Sequence, residues 1–140
     1  MKSRFLFLFL ALIASRFTHA QNNADTEARK NTEALVTKYS LNADQAKQMY
    51  QIQQRKNRNM AEIAPLQITD PVAYRAKLGN VQQGTWVSIR RILNTKEQVD
   101  LYQKTQSELR GLRNAKRKEM TAQKASKEAV ENAILAIYSE

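Results

Sequence analysis

Cysteine is missing from the 140-residue chain. Its absence excludes disulfide bonds, thiolate metal centres, thiol nucleophiles and lipid attachment through an N-terminal cysteine. Histidine occurs once, at His19, so imidazole general-base chemistry and zinc, copper or nickel sites have almost nothing to work with. Glycine and proline are scarce, at three and two residues, and no Gly-rich phosphate loop can be drawn from them. No stretch alternates Val, Ile and Thr with period two, so no sheet is expected. The acids are scattered and mostly stand beside Lys or Arg, which leaves no obvious carboxylate pair for catalysis. These absences argue against an enzyme and against a cofactor. They leave a small helical protein that binds other molecules.

One apolar run stands out, from Phe5 to Ala14. It follows the charged start Met1-Lys2-Ser3-Arg4 and precedes the exit Thr18-His19-Ala20, the three parts of a secretory signal. As a membrane anchor the run is too short, because a spanning helix needs about 20 residues. The expectation is a signal peptide over residues 1–20, cleavage after Ala20, and a single helical domain over 21–140 in the periplasm or another extracytoplasmic compartment. Removing the signal takes Lys2, Arg4 and Arg16 and no acid, which leaves 20 basic against 13 acidic residues, a net charge of +7. His19 departs with it, so the exported chain has neither of the usual soft or imidazole ligands. Met49, Met60 and Met120 could touch copper(I), but methionines spaced along helices serve packing far more often. No metal site is expected.

Ala, Gln, Lys, Arg and Glu dominate the rest, and all favour helix. The pattern predicts an all-α fold of four helices. The first runs from Thr26 to Lys38, with Asp25 as its N-cap. The second starts at Asn42, whose side chain and that of Gln45 form a capping box, and runs to Ile63. Its apolar face, Ala46, Met49, Met60 and Ile63, is interrupted by Gln53 and Lys56. A loop bracketed by Pro65 and Pro71 follows. Asp70 caps the third helix and Pro71 takes its first position. Tyr74, Leu78, Val81, Thr85, Ile89 and Ile92 share its inner face. The fourth starts at Thr95, with Gln98 completing a second capping box. Nothing but Gly111 weakens it before Tyr138, so it reads as one extended C-terminal helix over 95–138, about 66 Å long. Its apolar face is good at Leu101, Leu109 and Leu112, fades in the middle, and returns at Val130, Ala133, Ile134 and Ile137. One chain cannot cover both stripes, which points to a homodimer.

The two capping boxes have similar surroundings. Leu41-Asn42-Ala43-Asp44-Gln45 leads to Met49-Tyr50, and Leu93-Asn94-Thr95-Lys96-Glu97-Gln98 leads to Leu101-Tyr102. With these motifs the chain resembles the Spy/CpxP family of exported helical proteins, marked by two LTxxQ motifs that each open a helix. The first copy has Asn in the Thr place. The second has one extra residue between Leu93 and Gln98. The resemblance covers residues 34–112 and implies long helices in hairpin arrangement and a cradle-like antiparallel dimer. It also implies ATP-independent chaperone activity on unfolded clients, or restraint of an envelope-stress sensor kinase.

Charge marks the candidate contact residues. Arg110, Arg113, Arg117, Lys124 and Lys127 fall on one stripe of the fourth helix beside its apolar face. Between Arg110 and Lys127 seven basic residues stand against one acid, Glu119. Arg55, Lys56 and Arg58 form a smaller cluster on the second helix. Trp86 lies off the main apolar face of the third helix and is the aromatic expected to face a partner. Such a surface suits unfolded or acidic proteins, drawn in by long-range charge. Nucleic acid would suit it too, but an exported protein seldom meets it. The competing reading is a structural or scaffold protein of the envelope. There the C-terminal helix, with Val130, Ile134, Ile137 and Tyr138, would dock on a specific partner or on an anionic lipid surface.

Overall fold

A computed structural model describes residues 24–138, and every regular element among them is a helix. The signal-peptide reading of residues 1–20 lies outside the described residues. Helix α1 covers residues 24–39, α2 Ala43–Ile63, α3 Leu66–Thr69, α4 Pro71–Ile92, α5 Lys96–Ala122 and α6 Lys127–Ala136. No helix among the described residues is long and apolar enough to cross a membrane.

The helix starts are set by local polar chemistry. Asn42 accepts from the Gln45 amide at 2.9 Å while Asn42 N–H donates to Gln45 Oε1 at 3.1 Å. Thr95 and Gln98 repeat the arrangement. Asp70 Oδ1 accepts from Ala73 N–H at 3.0 Å with Pro71 at the first position of α4. Asp25, expected to cap α1, sits inside that helix instead. Its carboxylate is turned sideways toward Arg29 on α1 and toward Tyr50 and Gln54 on α2.

The helix ends are less conventional. α1 closes with Leu41 N–H donating to Val36 O at 3.0 Å and Ser40 N–H to Thr37 O at 3.4 Å. α5 closes the same way, with Ala125 N–H on Met120 O and Lys124 N–H on Thr121 O, both at 3.0 Å. These are Schellman ends, and they place a residue in the left-handed region. Glycine usually fills that place. Here Ser40 has φ 49° and Lys124 has φ 56°. The second of these turns corrects the expected extended helix over 95–138. The chain stops at Ala122, turns through 123–126 and starts again under Ser126, whose Oγ accepts from Ala129 N–H at 3.1 Å. α6 then runs back antiparallel to α5, so that Ile137 meets Arg113. The fading apolar face near residue 120 reflects this reversal and not a solvated span.

α2 packs on α4, and α6 packs on both α4 and α5. The core joins Leu35 and Tyr39 of α1, Leu41, Met49 and Ile52, Trp86, Ile89 and Leu93 beside α4, and Leu109 of α5. In α4 the buried residues are Thr85, Trp86 and Ile89, all in its C-terminal half. Gln53, which breaks the apolar face of α2 in the sequence, is fully buried there.

Candidate functional site

The two capping boxes meet. Gln45 and Gln98, 4% and 6% exposed, face one another as a reciprocal amide pair. Gln45 Nε2 donates to Gln98 Oε1 at 3.0 Å, and Gln98 Nε2 donates to Gln45 Oε1 at 3.1 Å. Gln45 Nε2 also reaches Ile92 O at 2.7 Å and Asn94 Oδ1 at 3.1 Å. Gln98 Nε2 approaches Ser40 O at 3.5 Å, and Gln98 Oε1 accepts from Asn94 N–H at 3.1 Å and Thr95 N–H at 3.4 Å. Leu41 and Leu93, the residues that open the two motifs, are both buried beside it. The residue that makes the second motif longer, Asn94, is therefore employed: its backbone donates to one glutamine and its side chain accepts from the other. The clasp ties the α1–α2 corner to the α4–α5 corner. It holds no titratable side chain, so its role is to position helices.

The contact residues read from the sequence do not form one stripe. Arg110 and Arg117 are exposed on α5. Arg113 is half-buried and its Nε donates to Ile137 O at 3.0 Å, so it staples α6 to α5 and is not available as a landing group. Lys124 lies in the turn, and Lys127 opens α6 with its Nζ 3.9 Å from Glu131. The break of the helix after Ala122 separates these two from the arginines. Lys116, counted in the same run, pairs with Glu119 at 2.9 Å.

On α2, Arg55 donates to Ser88 Oγ at 2.7 Å and bridges to α4, while Arg58 is exposed. Lys56 turns inward, with its Nζ 5.6 Å from the centre of the Tyr138 ring. Burial holds its ammonium below the ordinary lysine range, against the pull of Glu27.

Trp86 is 5% exposed, which corrects its reading as a partner-facing aromatic. Tyr102 and Tyr138 meet it edge-on, with ring centroids at 5.6 Å and 6.0 Å. The inner face of α4 is wider than the narrow periodic face in the sequence, because α4 is flanked by α2 on one side and by α5 and α6 on the other.

Two polar groups carry tertiary roles that helical periodicity does not reveal. Arg75 pairs with Glu128 at 2.7 Å and with Glu131 at 3.6 Å across α4 and α6. Gln82 donates to Leu135 O at 2.9 Å and accepts from Tyr138 Oη at 3.1 Å through its carbonyl. Their partners lie more than fifty residues away, so only the opposite charges of Arg75 and the acids gave any sequence signal.

Two clefts open around α6. One, about 520 Å³, is lined by Glu27, Lys56, Met60, Leu78, Val81 and Leu135, among others. The other, about 380 Å³, lies between Val72, Ala76, Ile134 and Leu135, with Arg75, Glu131 and Arg117 at its walls. Val72 is 68% exposed, Ile68 on α3 88% and Leu112 on α5 58%. Among the described residues no group of three or more Asp, Glu, His or Cys could hold a metal ion.

No family model, curated protein or solved structure matches this chain.

Proposed function

We propose that this protein is an exported binding protein of the Spy/CpxP kind, an ATP-independent chaperone or envelope-stress modulator that captures unfolded or acidic proteins. The observation that carries the reading is the cleft between α4, α5 and α6. An apolar floor of Val72, Ala76, Ile134 and Leu135 there lies beside the exposed cation Arg117. Charge brings an acidic client in and the apolar floor holds it. Exposed Ile68 and Leu112, and the exposed cations Arg110, Lys118, Lys124 and Lys127, extend the same mixed character along the helices around it. The glutamine clasp supports the family resemblance, because both motifs serve one structural purpose at the far end of α4.

The scaffold reading needs a free C-terminal helix. α6 lies against α4 and α5 and packs Ile137 and Tyr138 on the core, so a docking partner would meet only the part of its apolar face that lines the cleft, at Ile134 and Leu135.

The test is suppression of aggregation of a reduced, unfolded acidic protein, with capture rates followed by stopped flow across a salt series. Arg110→Glu with Arg117→Glu and Lys124→Glu, all exposed, should slow capture several-fold and flatten its salt dependence. Arg113 is left intact because it pins α6. Equal capture rates in both proteins, indifferent to salt, would reduce these cations to a solubilising face and overturn the proposal.

A further inference from the structure

The turn between α5 and α6 contains neither of the residues that normally enforce one. Residues 122–126 read Ala, Gln, Lys, Ala, Ser, and the residue in the left-handed region is Lys124 at φ 56°. Left-handed backbone is unfavourable for a side chain that carries a Cβ. The same five residues could instead extend α5 through the turn into α6 without strain. Only Ser126 speaks for the break, by capping α6.

What holds α6 in place lies elsewhere. Arg75 binds Glu128 and Glu131, Gln82 binds Leu135 O and receives Tyr138 Oη, and Arg113 binds Ile137 O. Leu135 packs over Gly79, where an added Cβ would lie 3.7 Å from Leu135 Cδ2. All of these partners are on α4 and α5, and none depends on which chain supplies α6. A straightened turn would carry the apolar face of α6 into water and leave the Tyr102 and Trp86 side of the body uncovered. A second α6 has the shape and the paired acids to cover it.

We propose that α6 is exchanged between two copies of the chain: α5 and α6 join into one helix, and each α6 occupies the seat formed by α4 and α5 of the other copy. Such an exchange reproduces every seat contact twice under two-fold symmetry and relieves the turn. It differs from a side-by-side cradle, and it stands or falls separately from the client-binding reading.

Because the chain has no cysteine, the exchange can be read directly. Gly79→Cys and Leu135→Cys are introduced together and bridged with a short bismaleimide. The protein is held at concentrations from about 1 µM to about 1 mM, the span of weak association. Exchange gives covalent two-chain products on a denaturing gel, in a share that rises with concentration. Ser126→Ala removes the cap and should raise that share several-fold. Lys124→Gly tolerates the turn and disfavours continuous helix, and should lower it several-fold. Bridges confined to single chains in all three proteins overturn the proposal. So does a dimer in sedimentation whose bridges stay within chains, which would mean that two closed chains meet by another surface.

Discussion

The two halves of α4 are built differently. From Thr85 onward the helix is locked: Trp86 and Ile89 are buried, Leu93 follows, and the Gln45–Gln98 clasp closes over its end. Between Pro71 and Gly84 no residue is buried, Val72 is open to solvent, and the neighbours are the C-terminal part of α2, the short α3 and the lightly seated α6. The locked half derives its order from a satisfied buried polar network, which specifies one arrangement of helices and is costly to leave half-made. The open half is held by partly exposed ion pairs and single hydrogen bonds, which are individually weak. Buried packing and open surface are thus kept at opposite ends of one helix.

The largest expected effect comes from breaking the locked half. Gln45→Ala removes a capping return bond, leaves the Ile92 carbonyl without its side-chain donor and leaves Gln98 Nε2 with only the long contact to Ser40 O. It should cost about 3 kcal/mol, the sum of a lost cap and a buried unsatisfied group. Gln98→Ala should cost about the same, and the two together less than their sum, because each already orphans the other. Thermal denaturation should show a fall of roughly 10 °C for either variant. Unchanged melting would mean that water replaces the clasp and that the two halves are not different in kind.

How much of this contrast could be read from the residues follows from the range of each interaction. The capping boxes at Asn42 and Thr95 and the Asp70-Pro71 start were legible, because N-cap chemistry is confined to four consecutive residues. The reciprocal pairing of Gln45 with Gln98 was not, since nothing local indicates that two caps will meet. The turn at 123–126 was missed because Lys124 occupies a position that glycine normally advertises. Asp25 was read as a cap for the opposite reason: the residue type suited the role, but tertiary partners on α2 claimed its carboxylate. Trp86 was misplaced because periodicity locates one face of a helix, whereas α4 is covered from two sides. Of the basic residues, exposed Arg110 and Arg117 could be read as surface, while Arg113 and Lys56 were drawn inward by a carbonyl and a ring that α6 brings back from far along the chain.

A second effect, no larger than loss of the clasp, opens the other half with alkali. Burial pushes the Tyr138 phenol up from 10.0 to about 12. Since the folded value is the higher one, this contribution is fully present below pH 10 and is lost as pH rises toward 12. Its full size is about 3 kcal/mol at most. Lys56, whose ammonium is held below the ordinary range, acts with the opposite sign, but its gain is complete by pH 10.5 and precedes most of the Tyr138 loss. Trp86 is the only tryptophan and touches the Tyr138 ring, so its emission reports the event. A red shift between pH 10 and 12 is expected in the native chain and should be weaker in Tyr138→Phe. Identical titrations would show that α6 is not held through this ring.

The two glycine-like positions give a matched pair. Ser40→Gly and Lys124→Gly each relieve a left-handed residue and should each contribute up to about 1 kcal/mol. Ser40 lies at the clasp, so its gain should appear in global melting. Lys124 joins α5 to the lightly held α6, so its gain should appear mainly as slower hydrogen exchange in α6. Equal effects on both readouts would mean that the chain unfolds as one cooperative unit with no separate open half.

The smallest effect concerns Asp25, on the exposed edge where α1 meets α2. Its carboxylate accepts from the Tyr50 hydroxyl, from Arg29 Nε at 3.0 Å and from Gln54 Nε2 at 3.2 Å. The Tyr50 bond first, then those from Arg29 and Gln54, hold its acidity below the ordinary value of 3.8. With the folded value depressed, the contribution is present above pH 3.8 and disappears as pH falls through the lower folded value. The group is solvent-exposed, so screening by water keeps the effect modest. Asp25→Asn keeps an acceptor oxygen and removes the charge. Its melting at neutral pH should fall only slightly, while the acid-induced loss of protection in the α1 amides should become shallower than in the native chain. If α1 loosens at the same pH in both proteins, the Asp25 contact contributes nothing to holding α1 on α2, and the anchorage of α1 rests on Leu35 and Tyr39 beside the clasp.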